Sequence, residues 1–217
     1  MNHILDAQQH HWERTFLQKP EMFGTEPSQP AQASVELFRE ESSATILELG
    51  GGQGRDAFFL ARSGFRVHVL DYADSAVNAI EEEARHLNPD DSVTVCRGDV
   101  RRPLPFEDGA FDACYSHMLY CMALTIPELE SLSAEVRRVL RPGGLQVYTA
   151  RHTGDPQCGT GIRRGDDMYE IGSGFIVHFF SRDTVERLAR GFEILGIDEF
   201  EEGSLPRKLF RVTLRKC

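Results

Sequence analysis

A glycine-rich turn between an apolar run and a helical pattern is the feature that most constrains this chain. In residues 46–56 the apolar run ends at Leu49 and leads directly into Gly50, Gly51, Gly52 and Gly54. Glycine lets the backbone turn at positive φ and lets a ligand approach without meeting a Cβ atom. The free amides at the start of the following helix bind polar or anionic groups. The segment therefore predicts a strand, loop and helix that hold a ligand at the loop.

The rest of the chain repeats this alternation of short apolar runs and helical patterns. Strands are predicted at residues 45–49, 66–70, 92–96, 111–116 and 145–150, and helices at 55–63, 75–87 and 126–140. Such alternation is typical of a parallel sheet covered on both faces. A helix at 181–191 precedes two longer runs, 192–200 and 208–215, whose linker is too short for a crossover helix. We therefore expect an α/β fold with a doubly wound, mostly parallel seven-stranded sheet that ends in an antiparallel hairpin.

Two segments lie outside this alternation, and we expect both to lie beside the ligand held at the glycine-rich loop. Ile4, Leu5, Trp12 and Phe16 fall near helical spacing and predict an amphipathic helix over residues 3–18. Prolines at 20, 27 and 30 predict an extended connector over 19–32, followed by a short helix at 33–41. Residues 151–180 interrupt the alternation, and their glycine-rich, polar first part predicts an irregular insertion on the substrate side. With 217 residues, we expect one domain over 1–217.

The composition of the chain limits the kinds of partner that this domain is expected to bind. The net charge is −10, and a chain this acidic is repelled by a phosphate backbone, so no nucleic acid is expected. No run approaches the roughly 18 apolar residues of a membrane span, and the start lacks a secretory pattern. Five scattered cysteines predict neither a disulfide framework nor structural zinc, and favour a cytoplasmic setting. None of these patterns sets an oligomeric state.

Acidic residues at strand ends point to a nucleotide-like ligand. Asp71 ends the second predicted strand, where a carboxylate accepts hydrogen bonds from both hydroxyls of a ribose. The segment from Gly52 to Ala57 satisfies the loose G-x-G-x-x-G/A pattern of dinucleotide sites, but Glu48, Gly50, Gly52 and Gly54 together form E-x-G-x-G-x-G. That second pattern resembles the first motif of the class I S-adenosylmethionine-dependent methyltransferases.

The resemblance to this family continues, in order, through residues 45–150. Asp71 occupies the place of the family's ribose-binding acid, and Asp99 with Val100 the place of the acid and amide that meet the adenine. Residues 104–112 and 138–144 are similar to the family's approach to strand four and its turn into strand five. Residues 12–24 resemble the front segment of small-molecule methyltransferases related to the tellurite and thiopurine groups. The resemblance implies S-adenosyl-L-methionine as cofactor and a Rossmann-like methyltransferase fold.

The resemblance also implies which residues bind the cofactor. Glu48 would orient the methionine amino end, or only order its loop, and Arg55 would pair with the cofactor carboxylate or cover its helix. Trp12 lies on a helix that would close over the cofactor as a lid, or simply pack on the core. The expected cofactor-binding residues are Glu48, Gly50, Gly52, Gly54, Arg55, Asp71, Tyr72, Asp99, Val100, Ser116 and Trp12.

Residues beyond strands four and five are the candidates for contact with the methyl acceptor. Alignment of two bound reactants supplies about 7–11 kcal/mol in favourable cases, so methyl transfer requires no particular catalytic group. His117 and His152 are the candidate catalytic bases for an acceptor that must lose a proton. Candidate substrate residues are Tyr120, Arg151, Tyr169 and His178, and His178 fits a packed core histidine equally. No metal is expected, because the acidic residues form no ligand cluster.

The function expected from these patterns is methyl transfer from S-adenosylmethionine to a small soluble acceptor by in-line displacement. A protein or RNA methyltransferase, a nicotinamide-dependent oxidoreductase and a non-catalytic binding module are the alternatives. Cys114, Cys121 and Cys158 would suit a soft metalloid acceptor or fill packing positions.

Overall fold

The structure is a computed structural model that describes residues 2–19, 22–86, 92–203 and 207–217. Pro20, Leu87 and Pro206, on which parts of the sequence-based predictions rest, lie outside the described residues, as do the side chains of Ile4 and Leu5.

Six helices and ten strands form the described chain. The helices are α1 (Asn2–Gln18), α2 (Gln29–Glu40), α3 (Arg55–Arg62), α4 (Asp74–Ala84), α5 (Ile126–Val139) and α6 (Arg182–Leu188). The first five strands are β1 (Thr45–Leu49), β2 (Arg66–Asp71), β3 (Ser92–Arg97), β4 (Phe111–Ser116) and β5 (Leu140–Arg151). They are followed by β6 (Ile162–Gly165), β7 (Met168–Glu170), β8 (Ile176–His178), β9 (Phe192–Glu202) and β10 (Arg207–Lys216).

The main sheet has seven strands in the order β3-β2-β1-β4-β5-β10-β9. The first five run parallel, and β10 lies antiparallel to both β5 and β9. The fold class predicted from the sequence is therefore confirmed. The strand order reverses between β1 and β4, and in open α/β sheets the crevice beyond the strand ends at such a point is where ligands bind.

The sheet is covered by helices on both faces, which is why its central strands are mostly apolar. Helices α2, α3 and α4 pack on one face, where they bury Phe38, Leu60 and Ile80 respectively. Leu132 of α5 and Val185 of α6 are buried on the other. Among the helices of the described residues, none combines the length and apolar character that a membrane span requires.

Residues 151–180 are more regular than predicted. Strands β6, β7 and β8 form a separate antiparallel sheet, and Gly172–Gly174 is a 3₁₀ turn. The predicted irregularity holds for residues 153–161, which form turns and bends. Residues 162–178 differ, because strands of three or four residues are too short to show an alternating pattern in the sequence. Met168 and Ile176 bury one side of this sheet against Ala123.

The connector ahead of β1 is also shorter than predicted, because α2 begins at Gln29. Ser28 caps this helix by accepting a hydrogen bond from the Ala31 amide, and Pro30 lies in the first turn. Proline is tolerated there, since the first-turn amides have no partner within the helix. Pro30 therefore starts the helix, where the sequence-based prediction had it break the chain.

Candidate functional site

A cavity of about 970 Å³ opens where the strand order of the main sheet reverses. Its floor is the glycine loop after β1 together with the segments that follow β2, β3 and β4. Helix α1 and residues 171–177 cover it, and residues 155–157 with the β9–β10 hairpin close the far end. The lining includes Glu48, Gly50, Gly52, Arg55, Asp71, Tyr72, Asp99, Val100, His117, Arg151 and Trp12, so most of the predicted site residues come together here.

The glycine loop is held against the end of β2 by Asp71. Gly50 and Gly52 have φ angles of 70° and 55°, which favour glycine. The buried Asp71 carboxylate accepts hydrogen bonds from the amides of Gly52 (2.9 Å) and Ala73 (3.0 Å). Burial raises the pKa of Asp71, and these amides oppose that rise. A carboxylate has about four lone-pair sites, so Asp71 can still accept a hydrogen bond from a ligand in the cavity.

Glu48 is a buried carboxyl group with no hydrogen-bond partner among the described residues. Its Oε2 atom is fully buried and unsatisfied. Burial raises the pKa of Glu48 well above its ordinary value, and the nearby Asp56 raises it further. Because an unpaired buried polar group costs about 1–3 kcal/mol, this carboxyl group calls for a donor from the ligand. A Cβ atom at the adjacent Gly51 would lie 2.4 Å from Val69 Cγ1, so only glycine leaves the loop this close to the sheet.

The edge of the cavity beyond β3 carries the second predicted acid. Asp99 accepts hydrogen bonds from Arg101 Nε (3.0 Å) and Nη2 (2.7 Å). Burial would raise the pKa of Asp99, but the bonds from Arg101 outweigh it and lower that pKa. Tyr72 and Val100 line the same part of the cavity. The arrangement suits a planar heterocycle that presents a donor to Asp99 and an acceptor to the Val100 amide.

The Arg55 guanidinium group forms an ion pair with Asp56, the next residue in the chain. Its Nε donates to Asp56 Oδ1 (2.9 Å), and its Nη1 donates to the Phe23 carbonyl. Asp56 also accepts from the Ser28 hydroxyl (2.6 Å) and lies 3.1 Å from the Tyr115 hydroxyl. No sequence pattern predicted this network, since Ser28 and Tyr115 are far from Asp56 along the chain. The only local signal was an acid at the second position of a helix that lacks a side-chain cap.

Helix α1 is fastened to both sides of the cavity. On the side of residues 171–177, the side-chain amide of Gln8 donates to the Gly174 carbonyl (3.0 Å) and accepts from the Ile176 backbone amide (3.1 Å). On the other side, where β2 ends, the side-chain amide of Gln9 donates to the Tyr72 carbonyl (2.9 Å). Between them Trp12 packs on Phe175, with ring centroids 4.6 Å apart. The helix therefore bridges the cavity as a cover.

The far end of the cavity, which we call the acceptor end for the role proposed below, contains a chain of hydrogen bonds centred on His117. Its Nε2 atom lies 3.2 Å from Glu202 Oε1 and its Nδ1 atom 2.9 Å from Thr149 Oγ1. The Met118 amide also donates to Thr149 Oγ1 (2.9 Å). A carboxylate only accepts, so in the neutral ring Nε2 carries the proton and Nδ1 accepts from the Thr149 hydroxyl. Both ring nitrogens of His117 are therefore occupied. Glu202 lines the cavity, and its second carboxylate oxygen has no hydrogen-bond partner among the described residues.

Met118, next to His117, holds its backbone at φ 66°. Left-handed backbone costs a residue other than glycine or asparagine about 1–3 kcal/mol and is typical of functional sites. Here the strain turns the chain after β4 so that His117, Met118 and Leu119 all line the cavity.

Arg151 is buried beside the cavity in an ion pair. Its Nε donates to Asp155 Oδ2 (3.0 Å), its Nη2 donates to Gln157 Oε1 (2.8 Å), and its guanidinium lies 5.0 Å from the centre of the Phe179 ring. Burial would raise the pKa of Asp155, but the bonds from Arg151 and two backbone amides outweigh it and lower that pKa. Arg151 thus orders residues 155–157 at the acceptor end.

Two predicted cofactor residues lie outside the cavity lining. Gly54 begins α3 at φ 85° and faces the core, where an added Cβ atom would lie 2.5 Å from Phe58. The Ser116 hydroxyl donates to the Leu49 carbonyl (3.1 Å) within the sheet. Both residues shape the loop and strand ends without facing the cavity.

Four predicted acceptor-side residues also lie outside this lining. The His152 ring stacks on Phe210, and its Nδ1 accepts from the Gly154 amide (3.0 Å). His178 Nδ1 donates to the Leu124 carbonyl (2.8 Å), and burial lowers the pKa of both histidines. Tyr120 is buried against Tyr148, and Tyr169 packs near Phe179. These four side chains therefore act as packing residues. The ring nitrogens of His152 and His178 bond to the backbone, and the tyrosine rings pack on other aromatic rings.

The cysteines give no support to a metalloid acceptor. Cys114 and Cys121 are buried in the core, where burial raises their thiol pKa values, that of Cys121 to about 11. Neither of them, nor Cys158, is part of the cavity lining. A buried thiol with a raised pKa is a poor metal ligand, since thiolate is the binding form.

Comparison with known proteins agrees with this geometry. A family described as a methyltransferase domain matches residues 46–144. The chain is 27% identical over 210 residues to a 24-methylenesterol C-methyltransferase 2 of Oryza sativa subsp. japonica, an alignment that covers 89% of this chain and 54% of the relative. It is 32% identical over 162 residues to a sterol 24-C-methyltransferase of Eremothecium gossypii, covering 73% of this chain and 42% of the relative. The chain thus spans about half the length of these curated relatives.

Solved structures share the fold. The 1,6-didemethyltoxoflavin-N1-methyltransferase of Burkholderia thailandensis, solved with 1,6-didemethyltoxoflavin and S-adenosylhomocysteine, superimposes with a TM-score of 0.73. The superposition covers 98% of this chain and 90% of that one at 15% identity. The cavity described above lies at the strand ends of this shared fold.

Proposed function

This chain belongs to the class I S-adenosylmethionine-dependent methyltransferases, and on that premise we propose that it methylates a small molecule enclosed in the cavity under α1. The observation that carries the proposal is the unpaired Glu48 carboxyl group beside the glycine loop, on the cofactor side of one continuous cavity. The other side of the same cavity, around His117 and Glu202, is where the acceptor would lie.

The residues present fit S-adenosylmethionine. Glu48 would accept a hydrogen bond from the methionine amino group, and Asp71 would accept from the ribose hydroxyls. Asp99 and the Val100 amide would hold the adenine, and Gly50 and Gly52 leave room for the backbone to approach the ligand. When bound, this cofactor supplies a methyl group on a positively charged sulfonium.

The chain's own contribution would be to align the acceptor, exclude water and hold one proton. Helix α1 and residues 171–177 enclose the site, which favours an in-line displacement between two fixed groups. The free Glu202 oxygen would accept a hydrogen bond from an N–H or O–H of the acceptor. His117 would act as a positioning residue, because its Nε2–H holds Glu202 in place and the ring has no free nitrogen.

A small acceptor is favoured over a polymer by the enclosure and by charge. Gln8 fastens α1 across the cavity mouth, so a protein or RNA strand would have to displace that helix. The net charge of −10 disfavours RNA. The names of the relatives, which include sterol and toxoflavin methyltransferases, agree with a small acceptor.

The test uses S-adenosylmethionine with a radiolabelled methyl group and a cell extract separated into small molecules, proteins and RNA. We expect label to pass only into the small-molecule fraction, and the Asp71→Ala variant to transfer much less. Label in protein or RNA would overturn the proposed acceptor class. A protein that binds the cofactor but labels no fraction would be a non-catalytic binding module.

A further inference from the structure

The acceptor end of the cavity contains an arginine whose guanidinium group is not bonded to any of the described residues. Arg207 opens β10 and lies directly opposite Glu202 in the β9–β10 hairpin. Opposite charges facing each other across an antiparallel pair ordinarily form an ion pair. Here Glu202 bonds His117 instead. The Arg207 side chain is near enough to help lower the pKa of Glu202, but it forms no hydrogen bond or ion pair with any described residue. Arg207 nevertheless lines the cavity.

A second unused donor lies close to Arg207. Arginine only donates, so the bond from Arg151 fixes Gln157 Oε1 as the acceptor and leaves the Gln157 Nε2 group pointing elsewhere. Gln157 lines the cavity, and its Nε2 has no partner among the described residues.

Asp155 holds the segments that carry Gln157 and Arg207 next to each other. Its carboxylate accepts hydrogen bonds from the Gln157 amide (2.8 Å) and from the Lys208 amide (2.9 Å), the residue after Arg207. Loop 155–157 and the start of β10 are therefore held side by side. The lining of the same cavity also includes the apolar side chains of Met122, Ile171 and Phe175.

We propose that the methyl acceptor carries a carboxylate on an apolar body, with the carboxylate bound by Arg207 and Gln157. A planar guanidinium donates two parallel hydrogen bonds to a carboxylate, and a side-chain amide adds a third donor. The apolar body would lie on the side chains of Met122, Ile171 and Phe175. This inference deepens the proposed function and rests on it, since it places the acceptor in the half of the cavity that faces Glu202.

The test is isothermal titration of the protein saturated with S-adenosylhomocysteine. The probes are phenylacetate, cinnamate and octanoate, each compared with its primary amide, which keeps the shape and loses the charge. We expect at least one carboxylate to bind roughly tenfold more tightly than its amide, as charge-assisted hydrogen bonds allow. Arg207→Gln should abolish that preference and Gln157→Leu should reduce it. Arg211→Gln, on the same strand and paired with Asp198, is the matched control and should keep it.

Three results would overturn the inference: equal binding of acids and amides, an unchanged preference in Arg207→Gln, or no carboxylate binding at millimolar concentration. Failure of the proposed function would look different, because the wild-type protein would then not bind S-adenosylhomocysteine. In that case the same probes are titrated into the free protein, where the comparison of Arg207→Gln with Arg211→Gln still decides the carboxylate site.

Discussion

Asp71 at the end of β2 holds the glycine loop through Gly52, whose amide nitrogen lies 2.9 Å from Asp71 Oδ2. The same carboxylate faces the cavity. Asp71 therefore clamps the loop, and we propose that it also accepts hydrogen bonds from the ligand, so that removing it tests the two roles together.

Asp71→Ala should weaken S-adenosylhomocysteine binding about tenfold to two-hundredfold, because hydrogen bonds to a charged group contribute about 1.5–3 kcal/mol. Calorimetric titration measures the change. Asp74→Ala, three residues later and exposed at the start of α4, is the control and should leave affinity unchanged. A folded Asp71→Ala protein with nearly wild-type affinity would remove Asp71 from the site.

Glu48→Gln should stabilise the empty protein while weakening cofactor binding. The pKa of Glu48 is raised by burial, so the folded state binds the proton more tightly than the unfolded state does. The contribution of Glu48 to wild-type stability is therefore most favourable below the ordinary glutamate range, and it is lost as the pH rises through that range and through the raised pKa.

The measurement for Glu48 is thermal unfolding of the wild-type and Glu48→Gln proteins from acid to neutral pH. The difference in Tm should grow in favour of Glu48→Gln as the pH rises. Glu36→Gln, exposed on α2, is the control. A difference that stays constant with pH would mean that Glu48 is not the unpaired carboxyl group described above.

Asp56→Ala should destabilise the fold by roughly 3–5 kcal/mol, since removing one partner of a buried ion pair strands the other charge. Arg55, Ser28 and Tyr115 all lose a partner in this variant. Urea unfolding gives the change in free energy, and Asp166→Ala, whose side chain is exposed, should be nearly neutral. A loss below about 1 kcal/mol would show that the network contributes little.

Residues 1–30 and 151–174 should gain protection from hydrogen exchange when S-adenosylhomocysteine is added, because we propose that both close over the ligands. Gln8→Ala should reduce the gain in α1 by removing its bonds to Gly174 and Ile176. Deleting residues 1–18 should weaken cofactor binding more than it lowers the stability of the sheet. Full protection in the empty protein, or unfolding of the deletion variant, would make these segments ordinary packing elements.

Glu202→Gln should lower kcat for methyl transfer roughly a hundredfold if the acceptor gives up a proton, with a smaller change in KM. His117→Asn should lower kcat in the same direction, since it releases Glu202. Glu201→Gln, the exposed neighbour on β9, is the control. A rise in KM alone would make Glu202 a binding group, and unchanged kinetics would remove it from the site.

The sequence predicted the features that depend on local pattern. The apolar runs gave β1 and β4 their observed bounds, and the motif from Glu48 to Gly54 with Asp71 located the floor of the cavity. Contacts between distant segments could not be found in this way. Glu202 and Arg207 reach the cavity only because β10 and β9 follow β5 in the sheet, and Thr149 bonds His117 only because β5 pairs with β4. None of the three belongs to a motif.

His152 and Arg151 illustrate the same limit at neighbouring positions. Both follow the apolar core of β5, and the sequence favoured His152 as the base. Side chains alternate between the two faces of a strand, so only one of two neighbours lines the cavity, and the structure places Arg151 there. Choosing between them required the register of β10 beside β5.

The most direct test of the central claim is calorimetric titration of S-adenosylhomocysteine and NAD⁺ into the wild-type protein and into Gly52→Val. We expect S-adenosylhomocysteine to bind the wild type at one site, NAD⁺ to bind far more weakly, and Gly52→Val to bind neither. Valine at this position meets a left-handed backbone, φ 55°, and places its Cβ 3.5 Å from the Phe23 ring and 3.6 Å from the Phe16 ring. Tighter binding of NAD⁺ than of S-adenosylhomocysteine, or unchanged binding by a folded Gly52→Val protein, would contradict the account.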